Sequence, residues 1–312
     1  MTITNTTIAD LVPSEKVLGQ TVKVLMDETN ALINSGIVAR GPEVNAVANG
    51  GPRKASIPFL NPLATDDYNI GSDDINDAGN VGKLTADEFS VIKHVLNYGW
   101  GASDLARMVT QYDAKGGIAA GIAQYWNTIF QKIAVAAMTG ALAADADLTV
   151  GDGTDPLALD LVIDAKVTGG QYMNMFDTLI VSPVTYGKLA KANSSDFIPA
   201  AKTDIGFDIW AGLKLIVDTS FGNTSSILAR SGALAFGTGS VLNPLEIERV
   251  ANGGNGQGAE ILHSRQAVVI HPQGFNYAAT NVAPTTTVIA DDASWTLAVP
   301  VEQVGFRLIS HT

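Results

Sequence analysis

The stretch from Gly116 to Ala144, GGIAAGIAQYWNTIFQKIAVAAMTGALAA, constrains the fold more than any other part of this chain. Apolar and small residues recur in it at steps of three and four, which is typical of one helix face: Ile118, Ile122, Tyr125, Ile129, Ile133, Ala136 and Gly140. Beside them lies a narrow polar stripe of Gln124, Asn127, Thr128 and Gln131. At about 1.5 Å per residue the helix is roughly 40 Å long. We predict a half-buried spine helix that the rest of the chain packs around.

A membrane-spanning helix is the alternative interpretation of this stretch. Crossing a bilayer takes about 20 nearly continuous apolar residues. Between Gln124 and Lys132, however, polar side chains and one charge interrupt the middle of the segment. Such groups are costly in hydrocarbon, so the sequence favours a helix buried in protein.

Composition limits the possible functions. With 312 residues, of which 46% are hydrophobic, the chain can bury a large core as two compact domains or one large one. Its net charge of −12 opposes tight binding to nucleic acid, because that affinity comes mostly from neutralising phosphates. The absence of cysteine excludes disulfides, thiolate metal sites and cysteine nucleophiles. The N-terminal MTITNTTIADLVPSEK has no basic start and no apolar run, so we expect no secretory signal and production inside a cell.

A long acidic loop separates two strands in the first third of the chain. Ile57 and Phe59 alternate around Pro58, which predicts an edge strand, and a second strand runs through Phe89, Val91 and Val95. The connection between these strands, from Leu63 to Lys83, is longer than is usual inside a compact domain, so we predict a projecting hairpin. The loop from Leu63 to Lys83 contains the candidate functional residues Asp66, Asp67, Asp73, Asp74 and Asp77.

Calcium binding is the chemical alternative for these aspartates. In a loop that starts at Asp74, the sixth position is Gly79, as a calcium-binding hand requires. The twelfth position is Thr85, where the hand needs a bidentate Glu. We therefore predict no metal site here.

The rest of the chain mixes strands and helices without strict alternation. Predicted helices begin after Pro13 with Ser14 as the cap, at WGASDLARM with Ser103 as the cap, at Pro156–Lys166 with Leu157, Leu161 and Ile163 inward, and at SPVTYGKLAKAN. The Gly- and Pro-rich segment from Arg40 to Lys54 predicts a linker or turn. Predicted strands include Leu179–Val181, Leu213–Val217, a ribbon of Leu245–Ile247 and Ile261–Ile270 with the tip ANGGNGQG, and Phe306–Ile309. This order predicts an α+β fold.

No pattern in the sequence indicates catalysis, a cofactor or a metal. The glycines of the tip, Gly253 to Gly258, are followed by a strand, whereas a dinucleotide-binding loop must open a helix. His94, His263, His271 and His311 lack helical metal-site spacing, although His263 and His271 could share one face of a sheet. Nucleophile-elbow, P-loop and S-x-x-K motifs are all missing. We therefore predict a protein that is not an enzyme.

Several segments, in this order, resemble the major capsid proteins of tailed bacteriophages. They are SGIVAR from Ser35, IPFLNPL from Ile57, Tyr125–Trp126, SPVTYGKLAKAN from Ser182, GLKLIVDTS from Gly212, EIERVANGG from Glu246 and HSRQAVVIHPQGFNY from His263. The resemblance implies the shell fold typified by phage Hong Kong 97, which encapsulins share. In that fold, residues 1–48 are an N-terminal arm and 49–96 an extended loop, 97–148 and 241–275 form a peripheral domain with the spine helix 116–144, and 149–240 and 276–312 form an axial domain.

The resemblance also implies partners. The chain is expected to form hexamers and pentamers with copies of itself, with a separate scaffolding protein, a portal and a decoration protein, and to enclose double-stranded DNA without reading its sequence. The five aspartates are then expected to contact a basic surface on a neighbouring subunit. An encapsulin-like compartment and a soluble α+β enzyme with carboxylate chemistry remain the alternatives.

Overall fold

A computed structural model describes residues 5–6, 32, 35–60, 63, 68–71, 73–74, 76–110, 114–192, 197–198 and 208–312. Its strands are β1 (Asn5–Thr6), β2 (Val38–Arg40), β3 (Lys54–Leu60), β4 (Ala86–Ser103), β5 (Thr149–Val150), β6 (Phe176–Val181), β7 (Phe197–Ile198), β8 (Ile209–Trp210), β9 (Leu213–Val217), β10 (Ser225–Arg230), β11 (Leu234–Gly239), β12 (Leu245–Val250), β13 (Ala259–Pro272), β14 (Phe275–Tyr277), β15 (Trp295–Leu297) and β16 (Phe306–Ser310). The helices are α1 (Pro42–Asn49), α2 (Asp104–Thr110), α3 (Ala114–Ala143), α4 (Leu159–Val167), α5 (Pro183–Ala192) and α6 (Thr286–Ile289). The predicted α+β class is confirmed.

Two seven-stranded sheets form the body of the molecule. The first has the order β1-β4-β13-β11-β2, with β3 added to β4 and β12 added to β13. The second has the order β5-β16-β10-β6-β9-β8-β7. The predicted glycine-tipped ribbon is confirmed as β12 and β13, which pair antiparallel from Val250 opposite Ala259 to Leu245 opposite Ser264.

The spine helix is confirmed as α3, and it lies between the two sheets. The largest core cluster combines α3 side chains with Val268 of the first sheet and with Ile180 and Phe306 of the second. Near its first half, Tyr125 packs edge-on against Trp100 with 5.0 Å between ring centroids, and the indole N–H of Trp126 donates to the Ser264 hydroxyl at 2.8 Å. The second half is buried on most sides, because α6 and the turn before β15 cover it as well. No helix among the described residues combines the length and apolar character that a membrane crossing requires.

The polar stripe of the spine helix is buried in part, at Gln131. This side chain is only 6% exposed, and its amide donates to the Asp218 carboxylate at the end of β9 at 2.6 Å. The stripe therefore contacts the second sheet through a buried hydrogen bond, whereas Asn127 remains exposed.

Gly140 allows the closest approach along the spine helix. A β-carbon at this position would overlap the Ile289 carbonyl oxygen of α6 and would lie 2.7 Å from Nε1 of Trp295. That nitrogen donates to the same carbonyl oxygen at 2.7 Å. The C-terminal segment thus packs directly against the helix backbone at Gly140.

The predicted linker from Arg40 to Lys54 is wrong, because its centre is the helix α1. Pro42 occupies the first turn, where its missing N–H costs nothing, and Gly50 ends the helix. Val44 and Ala48, one turn apart, are buried on β11, where Gly237 and Gly239 leave room for the helix backbone. The carboxamide oxygens of Asn45 and Asn49 accept hydrogen bonds from the backbone N–H groups of Thr238 and Ser240 at 3.1 and 2.7 Å.

Two further predictions need correction. Trp100 lies in β4 and not in a helix, although α2 does begin directly after Ser103, the predicted cap. On α4 the buried residues are Val162 and Ala165, whereas Ile163, predicted to face inward, is 46% exposed. The predicted helix that begins at Ser14 lies almost entirely outside the described residues.

Arg307 holds the second sheet to the segments around it. The side chain is fully buried, and it donates from all three nitrogens to oxygens of Thr168, Val301, Val304 and Phe306, at 2.7 to 3.3 Å. Burial lowers the pKa of Arg307 to about 10, so the group stays charged at neutral pH. Hydroxyl and carbonyl oxygens, and not a carboxylate, satisfy this cation.

Candidate functional site

A hairpin of β3 and β4 carries the acidic loop. The strands pair antiparallel from Lys54 opposite Ile92 to Leu60 opposite Ala86, and the rings of Phe59 and Phe89 stack with centroids 4.1 Å apart. Among the described residues β3 pairs only with β4, which confirms the predicted edge strand. Pro58 suits this position because it has no backbone N–H, and the outer side of an edge strand needs no hydrogen bond to a neighbouring strand.

The described part of the loop is exposed throughout. Its apolar side chains include Tyr68, Ile70 and Val81, which are 79%, 80% and 95% exposed. The Asn69 carboxamide closes the loop, because it donates to the Asn80 carbonyl and accepts from the Asn80 N–H, both at 2.8 Å. The loop therefore has internal order but buries little against its own chain.

Three of the five predicted site residues lie within the described part of the loop. Asp73, Asp74 and Asp77 are all exposed at its far end. The backbone N–H and the side-chain amide of Asn76 both donate to Asp74 at 2.9 Å, and these bonds lower its pKa below the usual value. Asp66 and Asp67 lie outside the described residues. Nowhere in the described ranges do three histidine or carboxylate side chains come close enough to share a metal ion.

The other end of the hairpin is basic, a feature that the sequence analysis missed. Arg53, Lys54 and Lys93 come together because β3 and β4 pair there, and the Lys93 N–H donates to the Arg53 carbonyl at 2.6 Å. Backbone oxygens meet the charges of the two lysines: Lys93 donates to the Gly50 and Gly51 carbonyls at 3.0 and 3.1 Å, and Lys54 donates to the Ala279 carbonyl at 3.3 Å. No described carboxylate lies within ion-pair distance of these three cations.

A cleft of about 430 Å³ opens along the middle of this hairpin, where Ile57–Phe59 and Phe89–Val91 line it. The stacked rings of Phe59 and Phe89 form one wall, and Val44 and Val91 contribute apolar surface. Arg230 and Gln303 lie on its polar side. The volume falls within the range of ordinary ligand pockets.

His271 also lines this cleft, and one of its nitrogens has no partner. The ring is 4% exposed, and Nε2 lies 2.8 Å from the Phe275 carbonyl oxygen. A carbonyl oxygen only accepts, so Nε2 carries the proton and Nδ1 is left as an acceptor. No described residue donates to Nδ1. Burial lowers the pKa of His271 to about 4, so the ring is neutral near pH 7.

The structure does not bring the four histidines together. His94 is buried in β4 with Nε2 unpaired, and burial lowers its pKa to about 4. His263 lies on the ribbon 2.9 Å from a Glu248 carboxylate oxygen, and His311 lies 2.8 Å from the Ser226 hydroxyl. The glycine tip is a turn between two strands, as predicted.

Comparison with solved structures gives matches along nearly the whole chain. A structure from Microbacterium phage Oxtober96 superposes with a TM-score of 0.58 at 13% identity, covering 99% of this chain and 100% of that one. The capsid of Ralstonia phage GP4 gives a TM-score of 0.53 at 12% identity, covering 77% of this chain and 84% of that one. The capsid of the Myoviridae phage XM1 gives a TM-score of 0.53 at 12% identity, covering 90% of this chain and 92% of that one. This chain has the fold of a phage capsid protein.

The resemblance to phage capsid proteins described in the sequence analysis is confirmed at the level of the fold. No family sequence model matches the chain, and no curated protein sequence does either. The first sheet contains β11, which the predicted axial range of 149–240 includes, as well as β2 from the predicted arm and β3 from the predicted extended loop. The domain boundaries given in the sequence analysis stay predictions.

Proposed function

We propose that this chain is the major capsid protein of a tailed double-stranded DNA phage, and that it assembles as hexamers and pentamers into an icosahedral shell. The observation that carries the proposal is the projecting hairpin on a chain whose whole length has the phage capsid fold. Its loop exposes large apolar and acidic side chains that find little to pack against within one subunit. Exposed apolar surface of this kind is typical of an interaction site.

The two ends of the hairpin are complementary in charge. Asp73, Asp74 and Asp77 lie at the loop end, and Arg53, Lys54 and Lys93 lie at the base. Contact between the loop of one copy and the base of the next is head-to-tail, and such contacts close into rings when the rotation between copies permits. Asp66 and Asp67 add to the acidic end in this proposal.

Each of these ion pairs contributes only a little. A partly exposed pair is worth about 0.2 to 1 kcal/mol and weakens as salt screens it. A shell repeats the contact at every subunit, so small contributions add up across the assembly. Assembly should therefore be more sensitive to salt than the folding of the single subunit.

The further partners follow from the proposed role in a virion. A separate scaffolding protein, a portal and a decoration protein are expected, and the shell encloses DNA without sequence-specific contacts. The net charge of −12 supports an enclosing wall and not a tight DNA binder. The role is structural and needs no catalytic residue, cofactor or metal.

Electron microscopy of the purified protein, alone and with its scaffold, tests the proposal. Closed shells are expected, and persistent monomers with enzymatic turnover would contradict it. Nucleic acid or an enzyme cargo inside the particles distinguishes a virion from an encapsulin-like compartment.

Charge reversal tests the contact itself. Asp73→Lys with Asp77→Lys, or Arg53→Glu alone, should block closed shells while the subunit keeps its melting temperature. The three substitutions together restore complementarity and should restore assembly. Replacing residues 65–80 by a short Gly-Ser turn should also leave the isolated subunit folded and abolish shells. If that deletion unfolds the subunit, or leaves shells of full stability, the loop is not an intersubunit contact.

A further inference from the structure

The helix α4 exposes an apolar stripe that the described residues of its own chain leave uncovered. Leu159, Ile163 and Val167 recur at steps of four, so they lie on one side of the helix, and they are 41%, 46% and 58% exposed. Val162 and Ala165 point the other way and are buried on the second sheet. Large apolar side chains that are exposed together are typical of a protein–protein contact.

Acidic side chains run along the same exposed surface of α4. Asp160 and Asp164 follow the first two residues of the apolar stripe, and both are exposed. Neither takes part in an ion pair with any described residue. A matching partner surface must therefore supply apolar groups together with positive charge.

The helix α5 presents both on its own exposed side. Val184, Lys188 and Lys191 are spaced by four and three residues, and all three are exposed. Lys188 donates to the main-chain oxygen of Thr312 at 3.0 Å, whereas no described carboxylate lies within ion-pair distance of Lys191. Lysine side chains cover apolar surface with their methylene groups while the amine reaches outward. This side of α5 can therefore cover aliphatic residues and reach nearby aspartates.

The two helices lie on the same face of the second sheet but over different strands. The spine helix packs on the opposite face, against residues such as Ile180. On the outer face, Val162 of α4 and Leu189 of α5 belong to one core cluster with the sheet. α4 contacts β16 and β5, whereas the Tyr186 hydroxyl of α5 donates to the Asp208 carboxylate, just before β8, at 2.7 Å. Since β5 and β8 lie near opposite ends of the sheet, one copy can present α4 to one neighbour and α5 to another.

We propose that α4 of one copy docks on α5 of a second copy of this chain. The apolar stripe of α4 lies against Val184 and the lysine side chains, with Asp164 near Lys191. Symmetric pairing is disfavoured, because α4 on α4 would bring aspartates together and α5 on α5 would bring lysines together. The contact is therefore head-to-tail, the type that closes into rings. It rests on the proposed shell function and adds a contact that does not involve the hairpin.

Disulfide trapping tests the contact, because the chain contains no cysteine. Ile163→Cys and Val184→Cys are made in separate chains, one of which carries an affinity tag, and equal amounts are assembled together with the scaffold. The shells are then oxidised with dissolved oxygen and a copper catalyst. Each chain has one cysteine, so a disulfide can form only between copies. The expected product on a non-reducing gel is the mixed dimer of tagged and untagged chains, whereas shells of either variant alone should give monomers.

Charge exchange tests the pairing of Asp164 with Lys191. Asp164→Lys alone or Lys191→Glu alone should raise the concentration needed for assembly by about tenfold, and the two substitutions together should restore it. Both side chains are exposed, so the melting temperature of the isolated subunit should not change. If the double variant assembles no better than either single variant, these two residues do not meet.

The outcomes separate this inference from the function on which it rests. If the unmodified chain forms no shells with its scaffold, the proposed function is wrong. If well-formed shells give no mixed dimer, or if Ile163→Cys alone gives as much dimer as the mixture, α4 does not dock on α5 of a second copy.

Discussion

Two alanine substitutions in the spine helix should change stability in opposite directions. Gly121 is exposed, and a β-carbon there would meet nothing within 4 Å. Gly121→Ala should therefore stabilise the subunit by about 0.5 to 1 kcal/mol, because glycine is the poorer helix former. Gly140→Ala gains the same helix propensity but forces a methyl group into the Ile289 carbonyl and the Trp295 indole.

The cost at Gly140 follows from what the methyl group displaces. Overpacking costs about 1 to 3 kcal/mol, and separating the Trp295 indole from its carbonyl acceptor costs about 1 to 3 kcal/mol more. Subtracting about 1 kcal/mol of helix propensity leaves a net loss of about 1 to 5 kcal/mol. Urea unfolding of both variants, monitored by tryptophan fluorescence, measures the difference between their free energies of unfolding. If Gly140→Ala is as stable as Gly121→Ala, the C-terminal segment does not contact the helix backbone as described.

Three further changes probe the core. Burial lowers the pKa values of His94 and His271 from 6.5 to about 4, so both rings are neutral in the folded protein near pH 7. The free energy of unfolding should therefore stay constant above pH 6.5 and fall as the pH drops toward 4, by about 2 kcal/mol per histidine at pH 5. Urea titrations from pH 8 to 5 measure this decrease, and a flat profile would contradict it. Ile129→Asp places a charge against the main core and should lower the free energy of unfolding by about 3 kcal/mol or more. Gln124→Asp, on the polar stripe, should have only a small effect. Equal melting temperatures for the two variants would show that the Ile129 face is not packed. Arg307→Met leaves several buried oxygens without hydrogen-bond donors and should lower the free energy of unfolding by about 3 kcal/mol or more. A melting temperature equal to that of the unmodified chain would show that those bonds contribute nothing.

Local periodicity was sufficient to predict the elements that carry their own signal. The spine helix repeats apolar residues at helical steps, and the ribbon of β12 and β13 alternates around a glycine turn, so both were predicted close to their observed bounds. The helix α1 was missed because its support is not local. Asn45 and Asn49 lower its propensity, but they bond to Thr238 and Ser240, far away in sequence.

The candidate site was predictable only in part for the same reason. The aspartates form a run in the sequence, so their loop could be identified. The cations they are proposed to meet are separated in sequence, Arg53 and Lys54 from Lys93, and become neighbours only through strand pairing. The unpaired nitrogen of His271 depends on the bond from its other nitrogen to Phe275, which no pattern in the sequence indicates.

The strand β4 changes partner part-way along its length. It pairs with β3 up to Ile92 and with β13 from Lys93 onward. At that junction a single continuous strand crosses from the hairpin to the body. The contacts beside it are side-chain packing, with Val91 buried against α1 and β11, and the bond from the Ser90 N–H to the Asn276 side chain at 2.9 Å. A sheet that narrows to a single strand bends more easily there than where several strands lie side by side. In the proposed shell, a hairpin that tilts about Ile92 and Lys93 would let one sequence fit both the sharply curved corners and the flatter faces of a closed container.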